Sequence, residues 1–321
     1  MMVSSRPAAQ PRSYENTSGR PSWSPDGRRI AAELGRKTVI VDRDSLQVES
    51  QLAPEASWVA TPDWSPDGQK IAYAAYTTPE GQELPRWGVY VSDPDGANAR
   101  ELSEDAWEPE WNAQGTRLVF QTHKKGQDHV AVIDPEGKNE VWLSPDGILQ
   151  SDFCWDPKGE QVVYDHWGDE GPQIRISDFT GKKDRMLTNG EGFYKDRNPE
   201  WSPDGKKVLF ERHDPRFPKV DLWTVDPLTG KDKLLVELPR RNVDAVWSPD
   251  GGRIAFASNK DGGDFDLFVM DANGKNVERV SHLRGDEHAP AWSPDGHSLA
   301  FYCLDWNKEG DDRYTLQVID V

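Results

Sequence analysis

One pentapeptide, Trp-Ser-Pro-Asp-Gly, occurs five times in this chain, starting at Trp23, Trp64, Trp201, Trp247 and Trp292. Reduced copies start at Trp111 (Trp-Asn-Ala-Gln-Gly) and Trp155 (Trp-Asp-Pro-Lys-Gly), and the seven tryptophans are 41, 47, 44, 46, 46 and 45 residues apart. A fixed period of this length fixes the architecture before any strand is assigned, because each repeat must be one supersecondary unit that buries its apolar face against its neighbours. Seven units tile residues 23 to 321, so one propeller is expected over 11–321, with a tail over 1–10.

Each unit reads as strands. After the turn comes an apolar run, as in Ile71-Ala-Tyr-Ala, Leu118-Val-Phe, Val208-Leu-Phe or Ile254-Ala-Phe, then a loop of variable length. A second run such as Val89-Tyr-Val or Leu267-Phe-Val-Met follows and ends at an Asp-containing turn such as Asp93-Pro-Asp-Gly96. β-Branched and aromatic runs bounded by turn residues are strand signals. In the repeated turn Pro presets φ, Asp tolerates the next position and Gly supplies φ > 0, which all seven copies keep from Gly27 to Gly296. Four antiparallel strands per unit, seven times, predict an all-β, seven-bladed β-propeller. The seventh unit stops at Val321 before its outermost strand, so the N-terminal segment Pro11–Tyr14 is expected to complete blade seven and close the ring.

Composition narrows the partners. The 38 Lys+Arg against 56 Asp+Glu give a net charge of −18, which repels phosphate backbones and anionic headgroups and argues against nucleic-acid binding. Apolar runs of about five residues fall far short of the roughly 20 that span a bilayer, so no membrane insertion is expected. The first 20 residues carry no apolar core of a secretory signal peptide. Cys154 and Cys303, far apart in the chain, define no disulfide framework, redox pair or thiolate zinc site.

The repeated Trp-Ser-Pro-Asp-Gly, with its preceding Pro (Pro21, Pro62, Pro109, Pro199, Pro290) and the trailing Asp-Pro-Asp-Gly turn, resembles the propeller repeat of the TolB family. The resemblance covers nearly the whole chain, without the N-terminal α/β domain that TolB itself carries. It implies the fold, and a periplasmic or extracellular setting, with a cytoplasmic one left open. The same repeat serves TolB, the gating propeller of prolyl-oligopeptidase-type peptidases and propeller polysaccharide lyases. No GxSxG nucleophile elbow is present, since Gly296-His-Ser-Leu-Ala300 departs from it at the last position.

In a propeller the short Ser-Pro-Asp-Gly and Asp-Pro-Asp-Gly turns share one rim, and the loops between strands two and three and between blades share the other. Variable loops on a uniform scaffold are where function is expected. Trp58, Trp87, Trp107, Trp167, Tyr194, Trp306 and His288 map to that variable rim as candidate ligand contacts, or else pack between loops. His123, His166 and His213, from adjacent blades, are candidate metal ligands or general bases, with Arg197 to neutralise a substrate carboxylate. Polar residues three positions before each Trp, among them Glu108, Asp152 and Asp244, form a second candidate set for a hard cation, or else cap the inner strands. No cofactor motif stands in the sequence, and a divalent cation is the one cofactor that either set would accommodate. Two functions follow: a non-catalytic propeller binding a protein segment or glycan on the variable rim, or a glycan-active enzyme, a polysaccharide lyase using the rim histidines.

Overall fold

The computed structural model of the chain describes residues 19–144, 152–168, 171–188, 194–307 and 314–321. All regular elements among them are β-strands. They form six four-stranded sheets and one three-stranded sheet (Asp286–Trp292, Ser298–Leu304, Tyr314–Asp320), each in simple chain order. Neighbouring strands within these sheets pair antiparallel, as in Trp58–Trp64 with Ile71–Thr77, so the architecture is the expected seven-bladed propeller. The segment expected to complete blade seven, residues 11–14, lies outside the described residues.

The repeat builds the contacts between blades as well as the turns. Each of its seven glycines has φ between 64° and 71°, a conformation that costs glycine nothing and other residues more. These turns also stack on one another. A Cβ placed on Gly68 would lie 3.4 Å from Pro25, and similar contacts join Gly115 to Pro66, Gly251 to Pro203 and Gly296 to Pro249. The ring closes the same way, with a Cβ placed on Gly27 3.7 Å from Pro294. Trp23 Nε1 donates to the Ala291 carbonyl at 3.0 Å across that junction, and the Glu33 N–H donates to the Tyr302 hydroxyl at 2.8 Å.

The core lies between blades. All seven repeat tryptophans are 4–8% exposed, and each apolar cluster draws on consecutive sheets: Ala31 and Ile40 of blade one meet Trp64, Ile71 and Tyr73 of blade two. A fully buried aromatic removes a large apolar area from water. A blade alone would leave that face wet, so the ring is the smallest unit that buries it.

Candidate functional site

Inner strands of all seven blades surround an axial cavity of about 1090 Å³. Two layers of side chains line it. The first stands three residues before each repeat Trp, where Thr61, Glu108, Asn198, Asp244 and Ala289 have φ between 49° and 56°. Inner-strand register slips at these points. In four of the five the next residue is a Pro, which has no N–H to give the ladder, and a bulge absorbs the missing bond. The second layer is the residue just before the Trp: Ser22, Asp63, Glu110, Cys154 and Glu200.

The second strand of each blade holds the bulge layer in place. Gln121 Nε2 donates to Glu108 at 2.5 Å, and Asp165 accepts the Asp152 N–H at 3.0 Å. Glu211, 2% exposed, accepts from Asn198 Nδ2 at 2.6 Å and from the Asp244 N–H at 2.8 Å.

Beneath the mouth the cavity is acidic. Burial pushes the Asp63 carboxyl up to about 6 despite hydrogen bonds from Trp111, Ser22 and Trp64. Burial, then the charges of Asp63 and Glu200, hold Glu110 well above the usual carboxylate range, and burial with Asp152, Asp165 and Glu33 does the same to Glu108. Arg20 reaches across from blade one, its Nη1 3.2 Å from Glu200 Oε2 of blade five. Burial raises Glu200 while Arg20 opposes it. The Cys154 thiol, pushed well up by burial and then by Glu200 and Glu110, stays protonated.

The variable-rim mouth carries arginine, histidine and aromatic side chains. Arg197 lies 4.3 Å over the Trp167 ring, and Arg241 lies 5.7 Å over Phe265. His213 Nε2 is 3.1 Å from Glu211, and His288 Nδ1 is 3.4 Å from Asp244 of the neighbouring blade. Burial works against an ionised Asp244, but the hydrogen bond and charge of His288 outweigh it and hold the carboxyl below its ordinary value. Trp306, 58% exposed, stands over the same opening.

Of the residues singled out from sequence, this cavity gathers Trp167, Arg197, His213, His288, Trp306, Glu108, Asp152 and Asp244. The three histidines do not converge. His166 is one position out of step with His213, so strand alternation turns it to the opposite, buried face. His123 shares the position of His213 but is half-exposed and hydrogen-bonded to Asp128 across its own hairpin, at 2.6 Å. Among the described residues no group of three or more His, Cys, Asp or Glu side chains is arranged to hold a metal ion.

Several candidate aromatics pack instead on the rim itself. Trp58 donates to Glu33 at 3.0 Å and lies 5.8 Å from Trp87, which also meets Tyr76 at 5.5 Å. Trp107 donates to Gln121 at 2.9 Å, and Tyr194 sits under Arg212 and Arg216. Sequence reasoning missed Arg241, Phe265 and Tyr314, which lie off the repeated positions. It also missed the layer just before each Trp, whose polar run of Ser22, Asp63, Glu110 and Glu200 was the available signal.

A family profile described as "TolB beta propeller domain" matches residues 3–198 and 173–312. The chain is 30% identical over 165 residues to the uncharacterized protein Atu1656 of Agrobacterium fabrum, covering 46% of this chain and 52% of that protein. It is 28% identical over 121 residues to the uncharacterized peptidase YuxL of Bacillus subtilis (36% and 18%), and 37% identical over 79 residues to the Tol-Pal system protein TolB of Rhizorhabdus wittichii (25% and 17%). The chain therefore spans between 17% and 52% of the length of these curated relatives. Among solved structures, an oligogalacturonate lyase in complex with manganese superposes with a TM-score of 0.72 at 14% identity, over 95% of this chain and 89% of that one. A putative TolB from Agrobacterium tumefaciens gives 0.60 at 19%, over 86% and 93%. At these identities the likeness is one of fold.

Proposed function

The chain belongs to the TolB β-propeller family, and from that premise we propose that it is a non-catalytic binding propeller that takes a protein segment or glycan at the variable-rim mouth of its axial cavity. One observation carries the reading: Trp167, Arg197, His213, Arg241, His288 and Trp306 meet around a single opening, drawn from blades four to seven. Aromatic rings and guanidinium groups at a concave mouth are the side chains that contribute most to recognition. A periplasmic or extracellular setting accords with the family's TolB members. Peptide and glycan arrays probed with the labelled chain test the reading. Captured spots are expected to be lost with Trp306→Ala, and capture unchanged by that substitution would move the site elsewhere.

A second reading, a polysaccharide lyase, draws on the two carboxylate-backed imidazoles at the mouth, His213 with Glu211 and His288 with Asp244. In this reading one imidazole takes the proton next to a uronate carboxylate, Arg197 neutralises that carboxylate, and the electron pair expels the leaving-group oxygen to form a carbon–carbon double bond. Incubation with polygalacturonate, monitored for unsaturated products, tests it. Product formed by the wild type and abolished in both His213→Ala and His288→Ala would establish the enzyme, and no product would leave the binding reading alone.

A further inference from the structure

Three arginines line the axial cavity, and they are not treated alike. Arg20 is paired with Glu200, whereas among the described residues Arg197 and Arg241 form no ion pair, in a chain whose net charge is −18. The nearby carboxylates are already engaged. Asp244 accepts from the Ala289 N–H at 3.0 Å and faces His288; Glu211 serves His213, Asn198 and the Asp244 N–H; Asp286 accepts the Phe265 N–H at 2.7 Å. Arg197 Nε and Trp167 Nε1 are both buried and without a hydrogen-bond partner. Two donors thus line the mouth with no acceptor among the described residues. The guanidinium of Arg197 lies 4.3 Å over Trp167 and that of Arg241 5.7 Å over Phe265, and a guanidinium is the group that takes a carboxylate through two parallel hydrogen bonds.

We propose that Arg197 and Arg241 form a carboxylate subsite, and that the carboxylate belongs to an acidic side chain of a protein segment docked across the mouth. The proposal rests on the binding reading above and narrows it. Its charge is complementary to the unpaired arginines. A protein is favoured over a sugar because Trp306 (58%) stands exposed at the cavity and two more apolar side chains, Phe217 (63%) and Leu283 (42%), are exposed on other loops of the variable rim. Aromatic, apolar and Arg side chains around a desolvated centre are the composition of a protein interface.

The test uses the full chain and a fluorescein-labelled hexapeptide of alternating glutamate and leucine, with its glutamine–leucine counterpart as the uncharged control. The acidic peptide is expected to bind about tenfold or more tightly than the control, more weakly as salt rises. Arg197→Gln and Arg241→Gln should each cost about tenfold or more, with thermal unfolding unchanged, and Arg197→Lys should restore part of the loss. Equal affinity for the two peptides, no binding of the acidic one, or insensitivity to both arginine substitutions would overturn the proposal. So would arginine-dependent binding of trigalacturonate in place of the peptide, which would assign the subsite to a sugar acid. Peptide binding lost in Trp306→Ala but kept in both glutamine variants would sink the carboxylate subsite alone. Binding indifferent to all three would sink the mouth as a binding site.

Discussion

Asp63 of blade two accepts the backbone N–H of Trp111 in blade three at 2.7 Å, so a side chain of one blade closes onto the inner strand of the next. The clasp repeats along the ring. Ser22 takes the Trp64 N–H at 3.0 Å, Glu110 the Trp155 N–H at 3.3 Å and the Cys154 sulfur the Trp201 N–H at 3.4 Å. Among the described residues it stops at blade five, whose Glu200 pairs with Arg20 instead, and Val246 and Ala291 of blades six and seven carry no side-chain acceptor. The residue before each repeat Trp therefore joins blades as well as lining the cavity.

Asp63→Ala should destabilise the fold by about 1–3 kcal/mol, because it leaves the Trp111 N–H without its acceptor in a buried place. Asp63→Asn retains an acceptor oxygen and should cost less. Urea unfolding of the three proteins at one pH checks the order, and equal midpoints for Ala and wild type would mean that the clasp contributes nothing.

Arg20 and Glu200 are 180 residues apart in sequence and 3.2 Å apart across the cavity. Both side chains are partly exposed, so screening trims the interaction, and Arg20→Ala should cost about 2 kcal/mol, as for a hydrogen bond to a charged group. Part of that loss is the carboxylate left behind among Asp63 and Glu110. The double variant Arg20→Ala/Glu200→Gln should therefore be more stable than Arg20→Ala alone, and a double-mutant cycle measures the coupling. Simple additivity would show that the pair does not interact.

How much of this was legible depended on whether the determinant repeats. The strands, the seven turns and the buried tryptophans follow from local composition and a regular spacing, so they could be read residue by residue. The bulge before five of the seven Trp could not, although the Pro that follows it in four of them was in view, because which way the displaced side chain turns is settled only by pairing with the second strand. His123 and His213 show the limit clearly. They share a repeat position, and what separates them is whether the nearby carboxylate is Asp128 across the hairpin or Glu211 on the same strand. Arg241 and Phe265 meet through a loop that obeys no period, so no spacing announced them.

The rim aromatics divide by contact. Trp306→Ala should change stability by no more than about 0.5 kcal/mol, as for an exposed surface substitution. Trp58→Ala removes the bond to Glu33 and the contact with Trp87, and should cost on the order of 2 kcal/mol. Melting temperatures of the two variants decide this before any ligand is known, and similar shifts would contradict the division into packed and presented rings.

The last expectation concerns pH. Burial raises the folded-state pKa of Asp63 to about 6 from an ordinary 3.8, so between those values the folded protein binds a proton that the unfolded chain releases. Stability from this group is then greatest below about pH 4, falls as pH rises towards about 6, and levels off above that. Glu108, Glu110 and Glu200 are raised in the same direction, so they add to the fall. Turn carboxylates such as Asp26 and Asp67 are lowered by their serine hydrogen bonds and act oppositely, losing stability only as pH drops below the ordinary range. Comparing wild type with Asp63→Asn removes this titration together with the part of the Glu110 shift that the Asp63 charge causes, while the turn carboxylates stay common to both. The variant should gain on the wild type as pH goes from about 4 to about 6, with the gap constant beyond. Urea midpoints for the two proteins that run parallel across that window would mean that Asp63 titrates at its ordinary value, and that the floor of the cavity is wetter than its burial implies.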